Sequence, residues 1–310
     1  MHAPRTRVQR RPVHGVLLLD KPLGLSSNQA LQKAKWLLRA EKAGHTGTLD
    51  PLASGVLPLC FGAATKFSQI HLDADKTYET TVRLGVKTRT ADAEGDVIET
   101  RPVSCTVGQV VEVLDRFMGP IQQVPPMHSA LKKDGKALYE YARAGIELER
   151  EARRVTIHAL DLLGFAGDRF TIRVHCSKGT YIRSLAMDIG AALGCGAHLC
   201  ALRRTAIGAF NLGAAVTLAA LEAAGEGERD ALLAPADALV AEFPALTLDA
   251  DAARALLQGR VLDAPRGAPG VSARVYGPNG FLGLGYWQDD GRFAPRRLIA
   301  TAAESTTAIA

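Results

Sequence analysis

The stretch GHTGTLDPLASGVLPLCFGAATK (44–66) holds the residues best placed for chemistry in this 310-residue chain. Gly44 and Gly47 permit positive φ and let another backbone approach closely. Asp50 precedes Pro51, which biases it toward an extended conformation and keeps it out of a helix. A carboxylate held on such a loop before a buried strand can face a ligand as nucleophile or general base. The same residues also fit an Asx-type turn that merely starts the strand, and the loop alone does not choose. A second cluster, CGAHLC (195–200), brings Cys195, His198 and Cys200 close together. That spacing matches no familiar zinc pattern and no second ligand pair follows, so a structural loop is expected and no metal.

The elements that must position these groups follow from periodicity. VLLLD (16–20) reads as a short buried strand. Ser26 with Gln29 forms a capping box that opens a helix to about Ala40, with Ala30, Leu31, Ala34, Leu37 and Leu38 on one face. Tyr78, Thr80, Val82, Leu84 and Val86 share one face of a strand. Thr106 and Gln109 cap a second helix with the stripe Val107, Val110, Val111, Leu114 and Phe117, ended by Gly119 and Pro120. Residues 153–176 read as a hairpin turning at Gly167-Asp168, and a helix over 180–193 carries Ile182, Leu185, Ala186 and Ile189 inward. Residues 217–240 read as helical, interrupted by GEGERD. After Phe243-Pro244 a short helix and the turn signals Asn279-Gly280 and Asp290-Gly291 mark a small β-rich module. The expected fold class is α+β: a mixed, largely antiparallel sheet domain with flanking helices over 1–245, and a compact β-rich domain over 246–310.

Charge placement suggests a partner. Residues 1–43 carry nine Lys or Arg against Asp20 and Glu41, while the rest of the chain is slightly acidic in sum, the net charge being +5. A concentrated basic segment favours a polyanion through counterion release, although residues 1–12 also read as a solvated, disordered tail. Five scattered cysteines argue against a disulfide framework and for a reducing compartment. With no apolar run of spanning length and no secretory signal, a cytoplasmic protein without membrane contact is expected.

Several segments together resemble one family. GHTGTLDPLASGVLP is similar to the catalytic motif of the TruB family of pseudouridine synthases, and HGVLLLDKPLGLSS (14–27) to its amino-terminal KP motif. KTYETTVRLG (76–85) with TRTADAEG (88–95) resembles its tyrosine strand and following loop. SKGTYIRSLAMDIG (177–190) and LRRTAIG (202–208) resemble its later motifs. The match runs in order from about residue 14 to 210 and looks like the bacterial tRNA branch rather than the guide-RNA-dependent one. The carboxy-terminal stretch from FPALTLDADAARALLQG (243–259) to RRLIA (296–300) is similar, more weakly, to a PUA-type RNA-binding domain.

The resemblance implies roles. Asp50 matches the essential aspartate, Arg183 the arginine paired with it, and Tyr78 the tyrosine against the target base. His45 matches the histidine associated with nucleotide flipping, Leu202 an apolar pocket wall, and Lys21 with Pro22 a support of the catalytic loop. Tyr181, in the SKGTYIRSLAMDIG motif, joins the substrate-binding set. Lys132, with Lys133 and Lys136, and Arg203, with Arg204, could hold phosphates, though solvated basic surface explains them as well. The family often has tyrosine in its PPMYSA pattern where this chain has His128.

The implied reaction turns uridine 55 of the tRNA T-loop into pseudouridine, with no cofactor. Asp50 would attack C1′ or remove the C2′ proton, and nearby Arg183 would favour its anion. The target must leave its stack, which is least unfavourable in a strained loop such as the T-arm. A monomer without an obligate protein partner is expected. Two other readings remain: an RNA-binding or RNA-folding protein without essential catalysis, and a glycoside hydrolase. The second needs two opposed carboxylates, and no partner acid for Asp50 stands out, Asp92 requiring tertiary placement.

Overall fold

The computed structural model describes residues 9–265 and 267–299. The tail expected over 1–12 thus lies largely outside the described residues. Its last part does not: Arg11 pairs with Asp230, and its backbone bonds Arg39 and Glu41.

Ten strands form the main sheet. Along its path lie Val216–Thr217, Gly15–Lys21, Ala53–Phe61, Ala197–Ile207, Lys76–Leu84, Arg169–Cys176, Arg153–Ala166 and Gly119–Gln123. Ala43–His45 pairs with Ala53–Phe61, and Phe210–Asn211 with Ala197–Ile207. Among the described residues two strand pairings in this sheet are parallel, Gly15–Lys21 with Val216–Thr217 and Ala197–Ile207 with Ala53–Phe61. The sheet is therefore mixed and largely antiparallel.

Alternation in Lys76–Leu84 puts Tyr78, Thr80, Val82 and Leu84 on the buried face, while Glu79 and Arg83 point to the other. The buried face meets helices Ser27–Leu37, Val107–Arg116 and Ile182–Ala192 in one apolar core. Each buried leucine there, such as Leu17, Leu31 or Leu185, contributes roughly 1.5–3 kcal/mol. Both expected capping boxes are present, at Ser26/Gln29 and Thr106/Gln109. The second helix turns a different stripe inward: Val110, Val113 and Leu114 are buried, whereas Val107 and Val111 are exposed. Gly119, at φ +78°, ends that helix and at once opens the edge strand. Between 217 and 240 only Leu218–Ala223 is α-helix, because Gly225, Gly227 and Pro235 divide the remainder into 3₁₀ turns.

The carboxy-terminal unit is a four-stranded sheet in the order Ala245–Thr247, Ser272–Gly277, Gly280–Trp287, Phe293–Leu298, with helix Ala250–Leu257 packed on it. An apolar seam joins it to the main body, where Phe67 meets Phe281 at 5.4 Å between centroids. Lys66 Nζ donates to the carbonyls of Leu298 and Ile299, each at 2.9 Å.

Candidate active site

The loop after Ala43–His45 is held from three sides. Ser27 Oγ accepts from Leu49 N at 2.7 Å and donates to Leu49 O at 3.0 Å, so the first helix clamps the residue before Asp50. Thr46 N donates to Pro58 O, and Ala53 N to Asp50 O, which closes a turn at the head of the next strand. Gly47 takes φ +82°, and a Cβ there would lie 3.2 Å from Arg204 Nη1. Arg204 is 1% exposed and ties the loop to the sheet through Val56 O at 2.7 Å and Gly47 O at 3.2 Å.

Arg183 stands in the first turn of Ile182–Ala192, where a cation opposes the helix dipole. The conflict is relieved by two carboxylates. Its Nη2 lies 2.8 Å from Asp50 Oδ2, and its Nη1 3.5 Å from Asp92 Oδ2. It also donates to His128 O at 2.6 Å and Thr90 O at 3.3 Å. Asp92 is 4% exposed and accepts from Glu94 N and the Thr90 hydroxyl. Gln123, 2% exposed, replaces a side-chain cap: Tyr181 N donates to its Oε1 at 2.7 Å, and its Nε2 donates to Tyr181 O. Asp92 and Gln123 thus belong to the site; the sequence raises Asp92 only as a partner acid that needs tertiary placement, and gives no sign of Gln123.

The Asp50 side chain is 39% exposed, opening into the cleft on one edge. A cavity of about 500 Å³ on one side is lined by Asp50, Arg183, Tyr78, Tyr181, Leu202 and Lys76. A second, of about 480 Å³, shares Asp50 and Arg183 and adds His45, Asp92, Glu94, His128 and Arg143. Burial pushes the Asp50 carboxyl up from the usual aspartate range; Arg183 opposes, Asp92 adds to the rise, and Lys21 opposes. The expectation that Arg183 depresses this group counted the ion pair alone, and desolvation outweighs it. Burial likewise raises the Tyr78 hydroxyl, with Arg204 beside it pulling the other way. Burial and Arg204 lower His45, whose Nδ1 has no partner.

Asp50, Arg183, Tyr78, Tyr181, Leu202 and His45 therefore meet around one cleft. Lys21 is fully buried and bonds Pro22 O and Leu25 O at 2.9 and 2.6 Å, as a support would; burial takes it down to about 8. Lys132 lies apart on the hairpin Lys132–Lys133/Lys136–Ala137, beside a smaller cavity with Arg150 and Arg153. Arg203 is not brought to the cleft; it pairs with Asp20 at 2.7 Å and Ser54 Oγ at 3.2 Å. In CGAHLC, His198 Nδ1 donates to Val86 O at 2.9 Å and so fastens the loop to a neighbouring strand.

In the cavity of Tyr78 and Leu202 the arrangement offers a single lining carboxylate, Asp50, oriented by a buried guanidinium beside a tyrosine and an apolar wall, while Glu94 joins it on the other side. The second carboxylate on that guanidinium, Asp92, is buried, already accepts bonds from Glu94 N and the Thr90 hydroxyl, and is held as an anion partner of Arg183.

Three family models match consecutive parts of the chain. They are the TruB family pseudouridylate synthase N-terminal domain over 35–182, the tRNA pseudouridylate synthase B C-terminal domain over 183–241, and the pseudouridine synthase II TruB C-terminal model over 244–299. The tRNA pseudouridine synthase B of Azoarcus sp. (strain BH72) is 63% identical over 295 residues, 95% of this chain and 98% of that one. That of Burkholderia mallei (strain ATCC 23344) is 60% identical over 308 residues, 97% and 99% of the two chains. Among solved structures, a Cbf5-Nop10-Gar1 complex contains a chain with TM-score 0.72 and 27% identity, covering 94% of this chain and 86% of that one. The structure of an H/ACA RNP bound to a substrate RNA containing 2′-deoxyuridine gives TM-score 0.69 at 25% identity, covering 93% and 86%.

Proposed function

Because this chain belongs to the TruB family of pseudouridylate synthases, we propose that it isomerises uridine 55 in the T-loop of tRNA to pseudouridine, with Asp50 as its catalytic carboxylate and no cofactor. One observation supports the assignment above the rest. Asp50 is the carboxylate that lines the same cavity as Tyr78 and Leu202, where a buried Arg183 holds it at 2.8 Å.

The extruded uridine enters beside Tyr78, whose ring packs on the uracil, with Leu202 closing the far wall. Ionised Asp50 then attacks C1′ or takes the C2′ proton, and the N1–C1′ bond breaks in either case. The freed uracil anion turns, C5 joins C1′ as the Asp50–C1′ bond breaks or the C2′ proton returns, and the C5 proton leaves last while N1 takes one up. Arg183 keeps the carboxylate aimed throughout. Lys132 and its neighbours on the inserted hairpin meet backbone phosphates, and the carboxy-terminal unit adds RNA contact beyond the T-arm. The protein works as a cytoplasmic monomer.

A T-arm stem-loop tritiated at C5 of the target uridine tests this reading. Release of tritium by the wild type, with RNA affinity falling steeply as salt rises, is the expected result. Tight binding without release would overturn the catalytic reading and leave an RNA-binding protein.

A further inference from the structure

Ser129 is 5% exposed, yet its Oγ has no hydrogen-bond partner. It lines both cavities that flank the Asp50–Arg183 pair. Its main chain is fixed on both sides: Ser129 N donates to Met127 O at 2.9 Å, and Ser129 O accepts from Tyr139 N at 3.1 Å. The preceding carbonyl, of His128, accepts from Arg183 Nη2 at 2.6 Å. The guanidinium that aims Asp50 therefore also sets where the serine hydroxyl stands. Tyr181 approaches it from the neighbouring helix start, but no bond of ordinary geometry forms between them. A hydroxyl withdrawn from water without a partner is unfavourable, and sites that bond a substrate's polar atom carry groups of this kind.

We propose that Ser129 Oγ donates a hydrogen bond to a carbonyl of the extruded uracil, as a substrate contact of the reaction proposed above, on which the inference rests. The chemistry suits a hydroxyl at this place. Attachment shifts from N1 to C5 when the base turns about the axis through N3 and C6, and that turn exchanges O2 with O4. A donor facing one carbonyl in the substrate therefore faces the other in the product. Ser129 holds the detached base in the cavity through the turn while Asp50 and Arg183 remain at the ribose.

Single-turnover tritium release by the wild type, Ser129→Ala and Ser129→Cys tests this on three T-arm stem-loops, with uridine, 2-thiouridine or 4-thiouridine at the target. Thiocarbonyls accept hydrogen bonds poorly. On uridine, both variants should react about three- to tenfold more slowly, the worth of one neutral hydrogen bond. Their RNA dissociation constants should stay within about twofold, because phosphate contacts dominate affinity. On one thio substrate the penalty of the variants should disappear, a non-additivity that a packing defect would not produce. Ser129→Cys keeps the side-chain connectivity, leaves no void and offers only a weak donor, so it guards against a variant that merely folds poorly. Unchanged rates on uridine, or a penalty that persists on both thio substrates, would overturn the proposal. No release by the wild type would overturn the functional reading, and this inference with it.

Discussion

Replacing Asp92 by Asn separates two effects that the cleft couples. Arg183 lies between Asp50 at 2.8 Å and Asp92 at 3.5 Å. The negative charge of Asp92 contributes to the rise of the Asp50 carboxyl, so neutralising it moves that group downward. Arg183, freed of a competing anion, acts in the same direction. Lys21 and Glu94 also face Asp50 through space and are unchanged in the variant. The acid limb of the rate profile, where activity falls as Asp50 takes up its proton, should therefore move to lower pH. The plateau should drop as well, since Arg183 loses one of its anchors. A hydrogen bond between charged partners contributes roughly 1.5–3 kcal/mol. At 3.5 Å, and with asparagine still offering an acceptor, the lower end applies, which is about tenfold in rate. Single-turnover tritium release between pH 5 and 8 reads both quantities in one series. An acid limb displaced upward, or a plateau equal to that of the wild type, would refute the electrostatic account of the site.

Two further perturbations probe the supports. Ser27→Ala leaves the Leu49 N–H without its acceptor inside the protein and should lower stability by about 1–3 kcal/mol in urea denaturation, with slower turnover as the Asp50 loop loosens; an unchanged midpoint and rate would contradict the clamp. Lys21 titrates near 8 in the folded protein against 10.5 for a free lysine, so between those values the unfolded chain binds more protons and stability rises with pH. Lys21→Met lacks that contribution. The stability of the wild type relative to the variant should increase from pH 7.5 to 9.5, and a difference that stays flat or falls would place the buried ammonium wrongly.

Local signals in the sequence located the elements well. The two capping boxes, the hairpin turning at Gly167-Asp168 and the alternation around Tyr78 all depend on neighbours a few residues apart, which is the range that propensity and periodicity describe. Where tertiary packing decides, local pattern says less. Helix Val107–Arg116 buries Val113 rather than Val107 and Val111 because the core meets it from the side of Val110 and Leu114. The cation in the first turn of Ile182–Ala192 conflicted with the helix dipole in the sequence, and the fold supplies the reason: Asp50 and Asp92 arrive from two separate loops. Asp92 and Gln123 reach the site through contacts 91 and 58 positions away, with Arg183 and Tyr181, and Ser129 follows His128, whose carbonyl meets Arg183 55 positions on; no local pattern announces such partners. Tyr78 suited both a core residue and a cavity wall, and its position lets it serve as both, being 8% exposed.

The central claim is that Asp50 performs the chemistry rather than holding the loop. Tritium release from a C5-labelled T-arm stem-loop, measured for the wild type and for Asp50→Asn with RNA binding checked for both, tests it most directly. The variant should bind RNA as the wild type does and release no tritium above background. Release by Asp50→Asn within about tenfold of the wild type would contradict it, because an amide can neither attack C1′ nor take the C2′ proton.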